Sequence, residues 1–241
     1  MKIAFLIPTT TSQTKFKKLD DTYLYRFCLK SILNTISLEH KYTIYYAIDD
    51  DDILYKKLAT RKRLINVNEY KKCRPGLKIN IKIISTKGIK KGNVVAYWNK
   101  LFKIAYDEGN DYFVQLGDDI LFHDKNWLDI CIYQLNLNMN IGVASPIDIG
   151  NRELMTQSVV SRKHMEIFGY YYPNELISWF CDNWITDIYK KDWLMFNRTR
   201  LENKGGKPRY TPPDWETTKK LCSELVERDL PKLKDYINCC V

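Results

Sequence analysis

The chain has 241 residues, 45% of them hydrophobic and 28% charged, close to an ordinary soluble domain and unlike a disordered, collagenous or coiled-coil sequence. At roughly 150 residues per domain, it is long enough for one large domain with a core of its own and needs no disulfide staples. Thirty-eight Lys and Arg against 29 Asp and Glu leave a net charge of +9, which favours an anionic partner such as nucleic acid, acidic membrane or a phosphorylated small molecule.

The first element is the apolar run Lys2 to Pro8, a buried strand stopped by Pro and a Thr cluster. Leu24, Phe27, Cys28, Ser31, Ile32 and Ile36 then fall at helical spacing, predicting a helix from about Thr22 to Ser37. Tyr42 to Ile48 is β-branched and aromatic, a second strand that runs into the carboxylates Asp49 to Asp52. A polar, basic stretch that includes Asn66 to Lys72 leads to Lys78–Ile84, which alternates as a third strand. Gly92-Asn93 precedes a helix over Val94–Ala105, closed by Glu108-Gly109. Asp111–Leu116 is a fourth strand with Gly117-Asp118-Asp119 at its carboxyl end; a helix around Asn126–Leu135 and a fifth strand, Ile141–Ser145, follow. This alternation predicts an α/β fold with a mainly parallel sheet wrapped by helices, and ligands bind such sheets beyond the carboxyl ends of their strands.

Beyond Pro146 the alternation weakens. Aromatic residues crowd between Phe168 and Trp193, a Gly/Pro/basic segment spans Asn203–Pro213, and an amphipathic helix is expected from about Trp215 to Ile237. The first 146 residues read as a nucleotide-binding half and residues 147–241 as a half that shapes a second pocket, within one domain. The seven cysteines are scattered with no C-x-x-C pair, and the three histidines are isolated, so neither a disulfide framework nor a zinc module is expected and a reducing compartment, the cytoplasm, is the default. No apolar run approaches the roughly 18–20 residues of a membrane span. The basic clusters, including Lys15 to Lys18, Lys56 to Arg63, Lys87 to Lys91 and Arg198 to Arg209, belong to no nucleic-acid-binding signature; they suit solvated faces, or a phosphate site in one or two cases.

The chemistry concentrates at the acidic strand ends. Adjacent carboxylates repel unless a cation or hydrogen bonds offset them, so Asp118-Asp119 suggests a hard divalent metal bridging a diphosphate, although such a pair also suits a turn or a helix cap. There is no G-x-x-x-x-G-K-[ST] loop, no G-x-G-x-x-G after the first strand and no G-x-S-x-G elbow, so any phosphate handling falls to metal and basic side chains.

Ile7-Pro8-Thr9 closing the first strand, Asp49-Asp50 closing the second, the helix with Asn93 and Asn99, Gly117-Asp118-Asp119 and Cys181-Asp182-Asn183-Trp184 together resemble a GT-A glycosyltransferase of the inverting, family-two-like kind over roughly residues 1 to 195. The richness in Lys, Ile, Asn and Tyr is similar to glycosyltransferases of giant DNA viruses, which would place the protein in the host cytoplasm. The resemblance implies a nucleoside diphosphate sugar donor, with UDP favoured, a glycan, protein or small-molecule acceptor, and Mn²⁺ or Mg²⁺ as cofactor, with no nucleic-acid partner; the oligomeric state stays open. Gly117 stands where the family's D-x-D motif has its first Asp. Metal ligation therefore passes to Asp119, with Asp118 supporting it or touching the ribose. Pro8, Thr9, Asp49 or Asp50, Asn93 and Asn99 fall to the nucleotide side.

Asp182 takes the position of the catalytic base, which an inverting transfer needs to remove the acceptor hydroxyl proton. Asp also suits a helix N-cap ahead of Asn183-Trp184-Ile185, and both roles are compatible. No His follows Asp182, so phosphates, water or an acid such as Asp214 would complete a metal shell. His164 reads as a buried or surface residue and not as a ligand. The aromatic segment Tyr170–Trp184 suits either core or an acceptor cleft, and the basic segment Arg198–Arg209, with a Gly205-Gly206 hinge, either a lid or a solvated loop. Two further functions fit the same features: a sugar-nucleotide-forming nucleotidyltransferase, although Pro8 to Ser12 contains no Gly, and a non-catalytic glycan- or RNA-binding relative.

Overall fold

The computed structural model describes residues 1–205 and 208–240. Its frame is one eight-stranded mixed sheet in the order β3-β2-β1-β4-β7-β6-β8-β5. Strands β1 (Lys2–Thr9), β2 (Lys41–Ile48), β3 (Lys78–Ser85) and β4 (Tyr112–Gln115) are parallel neighbours. Thr9, Ile48 and Ser85 share one register, so the turns that follow these strands open at the same edge. Along β1, Ile3, Phe5 and Ile7 enter one core and Ala4 and Leu6 the other, all wholly buried. That period of two on a strand covered on both faces is what a continuous apolar run signals.

The second half of the sheet departs from the expected alternation. Strand β6 (Val143–Asp148), the anticipated fifth strand, does not lie beside β4. The short β7 (Ser158–Ser161) takes that place, antiparallel to both neighbours, with Val114 opposite Val159. Four residues carry too little period-two signal to be read from sequence. Beyond β6 run β8 (Leu194–Asn203), parallel to it, and the three-residue β5 (Ile120–Phe122), antiparallel to β8. The first half of the basic stretch Arg198–Arg209 is therefore strand, neither lid nor solvated loop, because Leu201 and Thr199 bury one face while charged residues alternate outward. Gly206 of the expected hinge lies outside the described residues.

The helix expected from Thr22 to Ser37 is a π turn, Leu24–Cys28, leading into α1 (Leu29–Thr35). Two short helices, α2 (Leu58–Leu64) and α3 (Val67–Cys73), occupy the stretch that reads as polar loop; Leu64 and Tyr70 anchor them in the core. Helices α4 (Val94–Asp107) and α5 (Trp127–Leu137) stand within two residues of their expected limits. After β7 come α6 (Arg162–Phe168), α7 (Cys181–Ile188) and the long α8 (Trp215–Cys240). No described helix is long and apolar enough to cross a membrane.

Much of the aromatic segment belongs to the core. Tyr171, Tyr172, Trp184 and Tyr189 are at most 1% exposed, and all but Tyr172 pack directly against His164, itself buried. The His164 ring meets the Tyr171 carbonyl at 3.0 Å through Nε2 and the Tyr189 hydroxyl at 2.9 Å through Nδ1. A carbonyl only accepts, so Nε2 carries the proton and Nδ1 accepts from Tyr189. Burial pushes this imidazole down from 6.5 to about 4. The unfolded chain thus binds a proton that the fold refuses between those values, and stability falls as pH drops through that window, by up to about 1.4 kcal/mol per pH unit. His164→Gln should flatten this part of the pH dependence, measured as the difference between the two proteins' urea unfolding free energies at pH 7, 6 and 5; parallel profiles would contradict it.

Candidate active site

The site grows from the turns at the carboxyl edge of β1, β2 and β4. Asp118, 2% exposed, accepts from the Thr9 hydroxyl at 2.5 Å and from Arg209, whose Nη1 lies 2.7 Å from Oδ2 while Nη2 pairs with Oδ1. The same Nη1 also donates to the Thr10 carbonyl at 2.9 Å. Arg209 therefore ties the segment after β8 to the ends of β1 and β4 at once, the bidentate geometry for which a guanidinium is shaped. Asp119 sits alongside, 3.6 Å from Arg209. Burial and the neighbouring Asp118 charge, only partly opposed by Arg209, raise its carboxyl to about 6.

The glycines beside Asp119 follow from this crowding. A Cβ on Gly117 would come 2.7 Å from Asp119 Oδ1, and one on Gly205 closer still to Oδ2. An Asp at position 117, as in a D-x-D motif, would require the Asp119 carboxylate to turn away from its present position. The Gly117 amide instead donates to Gln157 at 2.7 Å, and the Asp119 carbonyl accepts from the Lys204 amide at 2.8 Å.

At the end of β2 the four carboxylates separate by role. Asp49 is buried and accepts from Tyr97 at 2.7 Å and from Tyr210 at 2.9 Å. Asp52 receives the backbone amides of Thr11, Leu54 and Tyr55, a clamp between the β1 and β2 turns. Asp51 pairs on the surface with Lys91, and Asp50 is exposed.

A cavity of about 300 Å³ opens here, lined by Pro8, Thr9, Asp118, Asp119, Trp98, Arg209 and Tyr210 among others. Of the residues expected at the nucleotide, Pro8, Thr9, Asp118 and Asp119 therefore come together, and Asp49 joins them through Tyr210. Asn93 and Asn99 do not. Asn93 caps α4, accepting from the Ala96 amide at 3.0 Å, and faces an adjoining hollow with Lys90 and Lys91. Asn99 holds the aromatic segment by accepting from the Tyr171 and Tyr172 amides and donating to the Tyr172 carbonyl. Asp214 caps the start of α8 through the Thr217 amide.

A second cavity, of about 620 Å³, shares Trp98, Ser178, Trp179 and Asn203 with the first, so the two form one cleft. Asp182 lines it. The N-cap of α7 is Phe180, in the left-handed region at φ 68°, and not Asp182, which lies in the first turn and accepts from the Asn183 amide at 3.0 Å. Burial raises its carboxyl above the ordinary aspartate range, against the pull of that amide. Arg209, which helps complete the first cavity, closes the basic cluster Arg198 to Arg209 that suits a phosphate, although the sequence does not single it out within the cluster; Tyr210 beside it escaped the sequence reading because an irregular segment carries no periodicity.

Asp118 and Asp119 offer the hard oxygens that Mn²⁺ and Mg²⁺ take, yet both oxygens of Asp118 are engaged and no cluster of three or more metal-binding side chains exists among the described residues. The donor set fits a cation held by Asp119 together with substrate phosphates, as Mg²⁺ sites commonly are, and not a cage made by protein alone.

No protein-family profile and no curated protein sequence matches the chain. Solved structures do. Staphylococcus aureus TarS 1–349 in complex with UDP-GlcNAc superposes with a TM-score of 0.61 at 12% identity over 95% of this chain and 66% of that one. GalNAc-T7 with UDP, GalNAc and Mn²⁺ gives 0.62 at 11% identity over 88% and 45%, and the Pyrobaculum calidifontis mannosyltransferase with GDP-Man and Mn²⁺ gives 0.55 at 10% over 98% and 74%. The chain thus spans less than two thirds of the TarS and GalNAc-T7 chains it resembles. The fold they share with it is that of GT-A glycosyltransferases, as the sequence resemblance implied.

Removing Arg209 strands the buried Asp118 carboxylate and leaves the partly covered Asp119 unopposed beside it. Arg209→Ala should destabilise the protein by about 3–5 kcal/mol in EDTA, the usual cost of breaking a buried pair from one side. Arg209→Lys, which keeps the charge but not the fork, should fall between. Urea unfolding of the three proteins checks this, and equal midpoints would show that the pair carries no load.

Proposed function

We propose that the protein is a glycosyltransferase that moves a sugar from a nucleoside diphosphate sugar to an acceptor hydroxyl with inversion. The observation that carries this reading is the continuous cleft, in which the acidic strand end with its arginine fills one part and a carboxylate raised by burial lines the next. A UDP-sugar is the favoured donor: TarS and GalNAc-T7 were both solved with uridine diphosphate ligands, the mannosyltransferase with a GDP-sugar.

Nucleotide and diphosphate belong to the first cavity. Thr9, Thr10 and the Asp49–Tyr210 pair offer hydroxyl, carbonyl and carboxylate groups suited to a base and ribose. Arg209 exchanges one Asp118 oxygen for the diphosphate, so the charge that stabilises the carboxylate pair also binds the donor. Asp119 and the donor's phosphates would hold a Mn²⁺ or Mg²⁺, which would supply further positive charge against the departing diphosphate.

Asp182 then acts as general base. It takes the acceptor hydroxyl proton while the oxygen attacks the anomeric carbon opposite the leaving group, and burial favours it because a base poised nearer the working pH accepts a proton more readily. Its place in the first turn of α7 favours its charged form beforehand, through the Asn183 amide and the positive end of the helix.

Asp182→Asn keeps the volume and loses the proton acceptor. Transfer should fall by roughly 10²–10⁴-fold while donor affinity survives, with the product's anomeric configuration inverted in the wild type. Near-normal turnover in the variant, or a retained configuration, would remove Asp182 as the base of a single displacement.

A further inference from the structure

The second cavity differs in character from the first. Its acidic side chains are Asp148, Asp182 and Glu202, and no Lys, Arg or His lines it among the described residues, in a chain of net charge +9. Glu202 is answered from outside by Lys204 at 2.6 Å and His123 at 3.1 Å. Asp148 is bound only by neutral donors, the Gly150 amide at 2.9 Å and the Thr156 hydroxyl at 2.7 Å, as Asp182 is by the Asn183 amide. The cleft therefore keeps negative charge at its wall, and such a field repels anions and costs a neutral ligand nothing.

Two tryptophans stand at this cleft in place of the buried aromatic core. Trp179 is 38% and Trp215 52% exposed, although indole rings of this size are normally covered, and they meet edge to face with centroids 5.7 Å apart at 83°. Trp215 comes from the first turn of α8 and rests on Phe180 at 4.6 Å, so the corner the rings make is held by the same residue that begins the Asp182 helix. The amides of Asn151, Gln157 and Asn203 line the same cavity as the rings and the carboxylates. Apolar ring faces beside amides and carboxylates match a sugar ring, which presents C–H groups on its faces and hydroxyls around its edge.

We propose that this cavity is an acceptor site for an uncharged carbohydrate, with Trp179 and Trp215 as its stacking platform and Asp148 and Asp182 excluding phosphorylated or carboxylated acceptors. The proposal rests on the glycosyltransferase reading and narrows it to an acceptor class. The two parts of the cleft sort their ligands by charge: the diphosphate goes to Arg209 and the neutral sugar to the acidic wall.

The test is saturation-transfer NMR on the full chain with UDP and Mn²⁺ present, using neutral trisaccharides of glucose, galactose, mannose and N-acetylglucosamine, and the same trisaccharides carrying one phosphate. At least one neutral trisaccharide should receive saturation at its ring C–H protons, and its monophosphate should bind at least about tenfold more weakly, a difference of about 1.4 kcal/mol. Trp215→Ala, at an exposed position and so tolerated by the fold, should abolish the transfer, and Asp148→Asn should narrow the gap between neutral and phosphorylated ligands. Preference for the phosphorylated sugar, or no transfer to any neutral one, overturns the proposal. UDP affinity measured in the same samples reports separately on the donor site: loss of UDP binding would instead sink the glycosyltransferase reading.

Discussion

A carboxylate pair at the end of a parallel strand is the constraint around which this molecule is arranged. Asp118 is buried and Asp119 beside it is largely covered, and two adjacent charges of one sign so placed require a compensating cation. Arg209 meets that need from ninety residues further along the chain. In doing so it fixes the segment after β8 against the turn after β1, walls off the first cavity and brings Tyr210 onto Asp49. Gly117 and Gly205 are consequences of the same packing, since side chains there would enter the space of the Asp119 carboxylate. A charge arrangement that stabilises the fold and can release an arginine to a diphosphate links the protein's stability to its proposed donor.

The parallel half was legible because its signals are long and local. The buried run of β1, the alternation of β3 and the Gly stop after α4 give nearly their observed limits, and the acidic clusters follow from where those strands end. What stayed hidden was short or distant. β5 and β7 have three and four residues, too few for a period, and β7 is held in place by β4 and β6 and not by its own pattern. α2 and α3 each bury a single residue, Leu64 and Tyr70, so their polar composition dominates the reading.

The candidate site shows the same division. Pro8, Thr9, Asp118 and Asp119 sit together because they end neighbouring strands, a relation that strand order makes predictable. Asn93 and Asn99 sit on the right helix but cap and brace it, roles that spacing does not distinguish from ligand contact. Within the aromatic segment the core took the tyrosines and Trp184, and left Trp179 at the cleft, where Trp215 joins it from a helix thirty-odd residues later. That pairing is tertiary and has no signature in either stretch.

The central claim is that the acidic strand end binds a nucleoside diphosphate sugar through Asp119 and a divalent cation. Calorimetric titration of UDP- and GDP-linked sugars into the wild type and Asp119→Ala, each with Mn²⁺ and with EDTA, tests it most directly. The account predicts saturable binding of one donor to the wild type with Mn²⁺, weakened at least about tenfold, or about 1.4 kcal/mol, both by EDTA and by the substitution. Donor binding indifferent to EDTA and to Asp119→Ala alike would contradict it.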